Sequence, residues 1–257
     1  QAMFPASTAK LLTALVALEW CDEEEQVTIG DEIRMIASDS TRAYLKEGEI
    51  LTIRNLLTGM LLPSGNDAAY AIAAYVGRKS LRDPEAGKEA AVMEFTRLMN
   101  KKAGILGVKN SCFKTPDGYD AIGQYTTAYD MGLIGMAAAA NETITEISSQ
   151  SSSRNIFPSG EDVTWNNTNK LVKKYLSEAK KQMGDKVPFY MAMEKALHNF
   201  LKAKLSIETS EMSKDKITEL LLSRNAQYAT VSDFIMLTEN CELARYAPST
   251  KVTIQHD

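Results

Sequence analysis

The chain has 257 residues, 44% of them hydrophobic and 24% charged, with a formal net charge of −4. That balance is ordinary for a globular protein of one large or two smaller domains, and it offers no excess of cations for nucleic-acid phosphates. Three scattered cysteines (Cys21, Cys112, Cys241) and two histidines (His198, His256) speak against a disulfide framework, a multi-histidine metal centre and a histidine-based triad.

No apolar run reaches the roughly 18–20 residues that would span a bilayer, so no membrane-spanning segment is expected. No signal peptide is expected within these residues either. Pro5 suits the start of a helix, and the apolar run behind it predicts a central buried helix over Ser7 to Trp20. The acidic run Asp22 to Glu25 reads as a solvated loop. Gln26 to Ile29 and Ile50 to Ile53 have strand character, with Gly30 and Gly48 as punctuation. Arg54 to Leu62 reads as a short helix, Pro63-Ser64-Gly65-Asn66 as a turn, and alanine-rich Asp67 to Val76 as a second helix. Val92, Phe95, Leu98 and Met99 make Pro84 to Lys102 amphipathic, with Gly104 or Gly107 as its cap. Pro116-Asp117-Gly118 signals a turn, and Thr127 with Asp130 opens a helix through Ala140. Ser148 to Ser153 reads as a polar linker, and Ile156 to Trp165 as a hairpin around Pro158-Ser159-Gly160.

Beyond about Asn169 the texture becomes that of a small helical unit. Pro188 opens an amphipathic helix carrying Phe189, Met193, Leu197, Phe200 and Leu201. Ser213 and Thr230 are candidate caps of two further helices, one with Ile217, Leu220 and Leu221 and the other with Phe234, Ile235 and Cys241; Pro248 ends the last. The expected fold class is therefore mainly α with short β hairpins (α+β), divided into residues 1–170 and 171–257.

The chemistry concentrates at Pro5-Ala6-Ser7-Thr8-Ala9-Lys10. On a helix Ser7 and Lys10 share a face, and the N-terminal backbone N–H groups favour developing negative charge. A lysine one turn from a hydroxyl can take its proton if burial or a neighbouring cation lowers its proton affinity. Ser-x-x-Lys is weak alone: it also occurs at Ser111/Lys114, Ser177/Lys180 and Ser213/Lys216. Only Ser7 follows a proline at the mouth of a buried apolar helix. Ser-x-Asn likewise recurs, at Ser64/Asn66, Ser153/Asn155 and Ser223/Asn225. Only Ser64-Gly65-Asn66 occupies a Pro/Gly turn between apolar helices; its ordinary reading is a turn whose Asn66 or Asp67 caps the next helix.

The pair of motifs belongs to the signature of penicillin-binding proteins and class A β-lactamases. The strings FPASTAKLLTALVALE and LLTGMLLPSGNDAAYAIA closely resemble the low-molecular-mass penicillin-binding proteins, the serine D-Ala-D-Ala carboxypeptidases. The resemblance continues in order through FTRLMNKKAGILGVKNSCF, TPDGYD, YTTAYDMGLIGMAA and TWNNTNKL, over about residues 1–170. It implies the helical part of a β-lactamase/transpeptidase-like fold and an extracytoplasmic protein acting on peptidoglycan stem peptides, with β-lactams as ligands and no cofactor or metal. It further implies Ser7 as acylated nucleophile and Lys10 as its base. Ser64 would relay protons to the leaving group, and Asn66 would hold the substrate amide. The Ser7 backbone N–H would supply half of an oxyanion hole.

The family's third motif, Lys-Thr-Gly, does not occur; the nearest string is Lys114-Thr115-Pro116. In the family that motif lies on a sheet-edge strand that draws the substrate carboxylate and supplies the second oxyanion donor. The strands that precede the nucleophile helix are also expected to be absent, leaving Leu11, Leu12, Leu15 and Val16 to find another partner. From FYMAMEKALHNFLKAKLSI through FIMLTENCELARYAP the chain resembles the C-terminal tail of Bat-type aerotolerance proteins. That suggests a chimera with impaired activity and a protein partner for residues 171–257. The alternatives are a non-catalytic helical interaction protein and, less favoured because no deacylating glutamate stands in a recognisable loop motif, a β-lactamase.

Overall fold

The computed structural model describes residues 2–168 and 213–223, together with positions 228, 231, 232 and 235. The chain separates into two units, Gln1–Lys170 and Leu171–Asp257. The fold class is α+β with helix dominant. Among the described residues no helix is long and apolar enough to cross a membrane.

In the first unit a 3-10 turn, Ala6–Ala9, leads into helix α1, Lys10–Trp20. Strands β1 (Gln26–Thr28) and β2 (Ile50–Thr52) pair antiparallel with Val27 opposite Leu51. Thr52 then caps α2, Ile53–Leu61, in a reciprocal box with Asn55: each residue's side chain accepts the other's backbone N–H at 3.1 Å. Helices α3 (Asn66–Leu81), α4 (Lys88–Ile105), α5 (Ala128–Ala139) and α6 (Glu142–Ser148) follow. An antiparallel hairpin of β3 (Ser152–Ile156) and β4 (Asp162–Asn166) completes the unit.

The centre of the core is α1, which packs against α3, α4 and α5. Leu12, Leu15 and Val16 are buried and Leu11 is half-buried. Val92, Phe95, Leu98 and Met99 form the buried face of α4, as their spacing predicts. That helix ends where Gly107 enters the left-handed region at φ 82° and the Val108 N–H returns to the Ala103 carbonyl at 3.0 Å.

Three expectations need correction. Helix α3 continues past Val76 to Leu81, because Gly77 is a packing residue and not a stop. A Cβ there would stand 1.9 Å from the Ala91 carbonyl oxygen, so only glycine lets α3 and α4 approach so closely. The acidic run is a loop, but Glu23 and Glu25 are tied down. Glu23 pairs with Arg54 and accepts the Thr143 hydroxyl, whereas Glu25 pairs with Lys79 at 2.7 Å and accepts the Tyr75 hydroxyl at 2.6 Å. The stretch Ser148 to Ser153 is no linker either: Ser148 ends α6, and Ser152 and Ser153 begin β3. Helix α6 is too short to declare itself by periodicity, and its start is marked only by Asn141, whose side chain accepts the Ile144 N–H at 3.0 Å.

In the second unit, α7 (Lys214–Ser223) is capped by Ser213, whose hydroxyl accepts the Lys216 N–H at 3.1 Å, and Ile217 is buried. The helix expected from Pro188 and all but isolated positions of the one expected after Thr230 lie outside the described residues.

Replacing Gly77 by alanine should force α3 away from α4 and lower stability by about 1–3 kcal/mol despite alanine's better helix propensity. Urea denaturation of the variant measures it.

Candidate active site

The turn that precedes α1 makes one alcohol accessible and hides its neighbouring amine. Ser7 is exposed on the 3-10 turn, whereas Lys10, the first residue of α1, is only 2% exposed. The Lys10 ammonium donates to Ser7 Oγ at 3.1 Å, to Asn66 Oδ1 at 2.7 Å and to the Asp117 main-chain carbonyl at 3.1 Å. Three protons thus meet three acceptors from three separate parts of the chain. Burial pushes the proton affinity of Lys10 down to about 8, against the opposing pull of the Asp117 and Asp67 carboxylates. A neutral amine is therefore far more accessible near pH 7 than for an ordinary lysine. In molecules that carry it the Ser7 hydroxyl proton can point at Nζ, which is the alignment a base needs.

Ser7 has a second polar neighbour, for Ser64 Oγ donates to Ser7 Oγ at 3.0 Å. Both serines depend on unusual backbone. Ala6, just before Ser7, sits at φ 47° and Ser64 at φ 63°, conformations that cost on the order of 1–3 kcal/mol each outside glycine. The surrounding structure holds the Ser64 turn in place. The Gly65 N–H donates to the Gly59 carbonyl at 3.1 Å, the Asn66 N–H to the Thr41 carbonyl at 2.9 Å, and the Thr41 hydroxyl to the Ser64 carbonyl at 2.6 Å. Asp67 braces the same loop from below, accepting the Ala43 N–H at 2.7 Å and the Leu45 N–H at 3.1 Å. Trp165 of β4 adds its indole N–H to the Ala43 carbonyl at 3.0 Å.

On the other side, Pro116-Asp117-Gly118 forms the wall behind Lys10. The Thr13 hydroxyl of α1 donates to the Pro116 carbonyl at 2.5 Å. Gly118, at φ 82°, lies so near the Ser7 turn that a Cβ would stand 1.8 Å from the Ala6 carbonyl oxygen.

Ser7, Lys10, Ser64 and Asn66 therefore converge. Asn66 turns its side-chain oxygen to Lys10, an interaction that its expected substrate role did not include. The competing motifs do not assemble comparably. Ser111 hydrogen-bonds Asp130 and Thr126, Asn155 folds back on the Ser153 carbonyl within the hairpin, and Ser213 caps α7. Ser177, Lys180 and Asn225 lie outside the described residues. Asp117 was read only as a turn residue. Its nearness to the lysine depends on a contact 107 positions away in sequence, which no local pattern announces.

A hydroxyl is thus shared between a buried lysine and a second serine, at a helix start packed within an α+β scaffold. The chain belongs to the D-alanyl-D-alanine carboxypeptidase family, peptidase S11, which it matches over residues 1–182. It is 34% identical over 146 residues to the D-alanyl-D-alanine carboxypeptidase DacF of Bacillus subtilis, covering 55% of this chain and 34% of that protein. It is 36% identical over 157 residues to DacB2 of Mycobacterium tuberculosis, covering 60% and 48%. In structure it is similar to the DD-transpeptidase of Streptomyces K15, with a TM-score of 0.61 and 31% identity over 68% of each chain. The chain thus spans about a third to a half of the length of these curated relatives.

Replacing Asp67 by alanine should orphan the buried Ala43 and Leu45 N–H groups and lower stability by about 1–3 kcal/mol for each. Urea denaturation gives the total, and amide hydrogen exchange should quicken at those two positions first.

Proposed function

We propose that this chain carries the acylation half-site of a serine D-Ala-D-Ala carboxypeptidase acting on peptidoglycan stem peptides outside the cytoplasm, with β-lactams as alternative acylating ligands. The observation that carries the reading is the sharing of Ser7 Oγ by Lys10 Nζ and Ser64 Oγ. Neutral Lys10 takes the hydroxyl proton as Ser7 Oγ bonds to the carbonyl carbon of the penultimate D-alanine. The carbonyl oxygen becomes an oxyanion facing the Ser7 N–H. Collapse breaks the peptide bond, and the lysine's proton passes through Ser64 to the departing D-alanine nitrogen. Water then attacks the ester and gives a proton to Lys10, which passes it to the departing Ser7 Oγ as the shortened peptide is released with a free carboxylate. Asn66, positioned beside Lys10, orients the base and the substrate amide.

The same reading implies weak turnover. A Lys-Thr-Gly string is absent from these 257 residues, and with it the source of the second oxyanion donor. Loss of one such donor costs about 2.7–4 kcal/mol of transition-state stabilisation. Membership of the family and the assembled first two motifs favour this reading over a helical protein with no chemistry.

Gel fluorescence with a fluorescent penicillin should show slow covalent labelling that is absent in Ser7→Ala and reduced about 100- to 10,000-fold in Lys10→Ala. No labelling of the folded parent chain at any pH overturns the proposal. The labelling rate should climb with pH through a midpoint near 8 before levelling off, because the active form is the one in which Lys10 has lost its proton.

A further inference from the structure

Behind Lys10 lies a carboxylate that the acylation scheme leaves without a task. Asp117 is 1% exposed, and its Oδ1 accepts the Tyr119 N–H at 3.0 Å, which accounts for the turn. Its Oδ2 is buried and has no hydrogen-bond partner among the described residues. A buried carboxylate oxygen without a partner costs several kcal/mol unless a nearby positive charge offsets it. The main chain of the same residue is bonded to Lys10 Nζ, so the lysine charge lies within one residue's reach.

We propose that Asp117 is a positioning residue that balances the Lys10 charge and thereby sets the pH at which Ser7 becomes nucleophilic. This rests on the acylation reading above. The groups facing Lys10 can be named from each element around it. Ser7 comes from the 3-10 turn and Ser64 stands beyond it. Helix α3 contributes Asn66 and Asp67, with Tyr70 near Asp117, and the 116–118 turn contributes Asp117. Of these, Ser7, Ser64 and Asn66 are neutral. Asp67 is occupied by backbone N–H groups of the 43–45 loop and of its own helix. Tyr70 is buried, and its hydroxyl is pushed up to about 12 by that burial and by Asp117, so it stays neutral. Asp117 is the acid whose free oxygen is left to answer the ammonium.

The arrangement works in two directions. Before reaction the carboxylate favours the ammonium and so holds back the free base. When Lys10 takes the Ser7 proton, the same carboxylate stabilises the ammonium that results. A structural residue of the turn would do neither.

Asp117→Asn separates the two roles, since an amide oxygen can still accept the Tyr119 N–H while the charge is gone. The pH profile of penicillin labelling should move its midpoint down by about one pH unit, with a lower plateau rate at high pH. In parallel, protein carrying 13C-labelled lysine, with Lys10 assigned through Lys10→Arg, should show the same downward shift of the Lys10 titration by NMR. A thermal melt checks that Asp117→Asn remains folded. An unchanged Lys10 titration in the folded variant overturns the inference, as does a lowered melting point with an unmoved midpoint. If the parent chain is never labelled, the proposed function fails, while the NMR titration still decides the role of Asp117.

Discussion

The structure turns on the burial of one ammonium group. Lys10 stands at the first position of the central helix, where an apolar residue would pack without cost, and it satisfies its three protons with acceptors from the Ser7 turn, α3 and the 116–118 turn. Each acceptor has to be held to within a few tenths of an ångström, for a buried charge that loses a partner is far more costly than one never buried. Much of the local architecture follows from that demand. Gly118 lets one wall approach, Gly65 and the left-handed Ser64 shape the other, and Asp67 fixes the loop that supports it. The proposed chemistry and the stability of the core therefore draw on the same set of contacts.

The acidic segment after α1 shows a different use of charge. Arg54 of α2 pairs with Glu23 and, at 2.7 Å, with Glu146 of α6, while Lys79 of α3 pairs with Glu25. Partial exposure keeps each pair's contribution modest. Their value lies in registration: three helices are indexed to one loop, and that loop leads directly into β1. The β1–β2 pair in turn delivers the chain to α2 and so to the Ser64 turn.

Much of this was legible in the sequence because it is local. Periodicity located α4, a capping pair located α5, the Pro/Gly turn at 63–66 marked the end of α2, and a proline before an apolar run located the helix that carries Lys10. The two motifs named the family before any coordinates. What escaped notice was nonlocal or short. The helix read as ending at Val76 runs on, and nothing local shows it, because Gly77 answers to a backbone on another helix. Helix α6 is below the length at which a pattern can form. Asn66 was assigned to the substrate amide or to a helix cap, since nothing in its neighbourhood reveals that Lys10, 56 positions earlier, would claim its oxygen. Asp117 was silent for the same reason.

That separation has a consequence for how the protein matures. The lysine contacts close loops of 56 and 107 residues, long-range pairings that form late because loop entropy must be overcome before they contribute. Until the 116–118 turn docks, Lys10 has water for a neighbour and the proton affinity of any surface amine. During synthesis, then, the buried setting of Lys10 beside Ser7 is completed only when a turn made more than a hundred residues later arrives behind it.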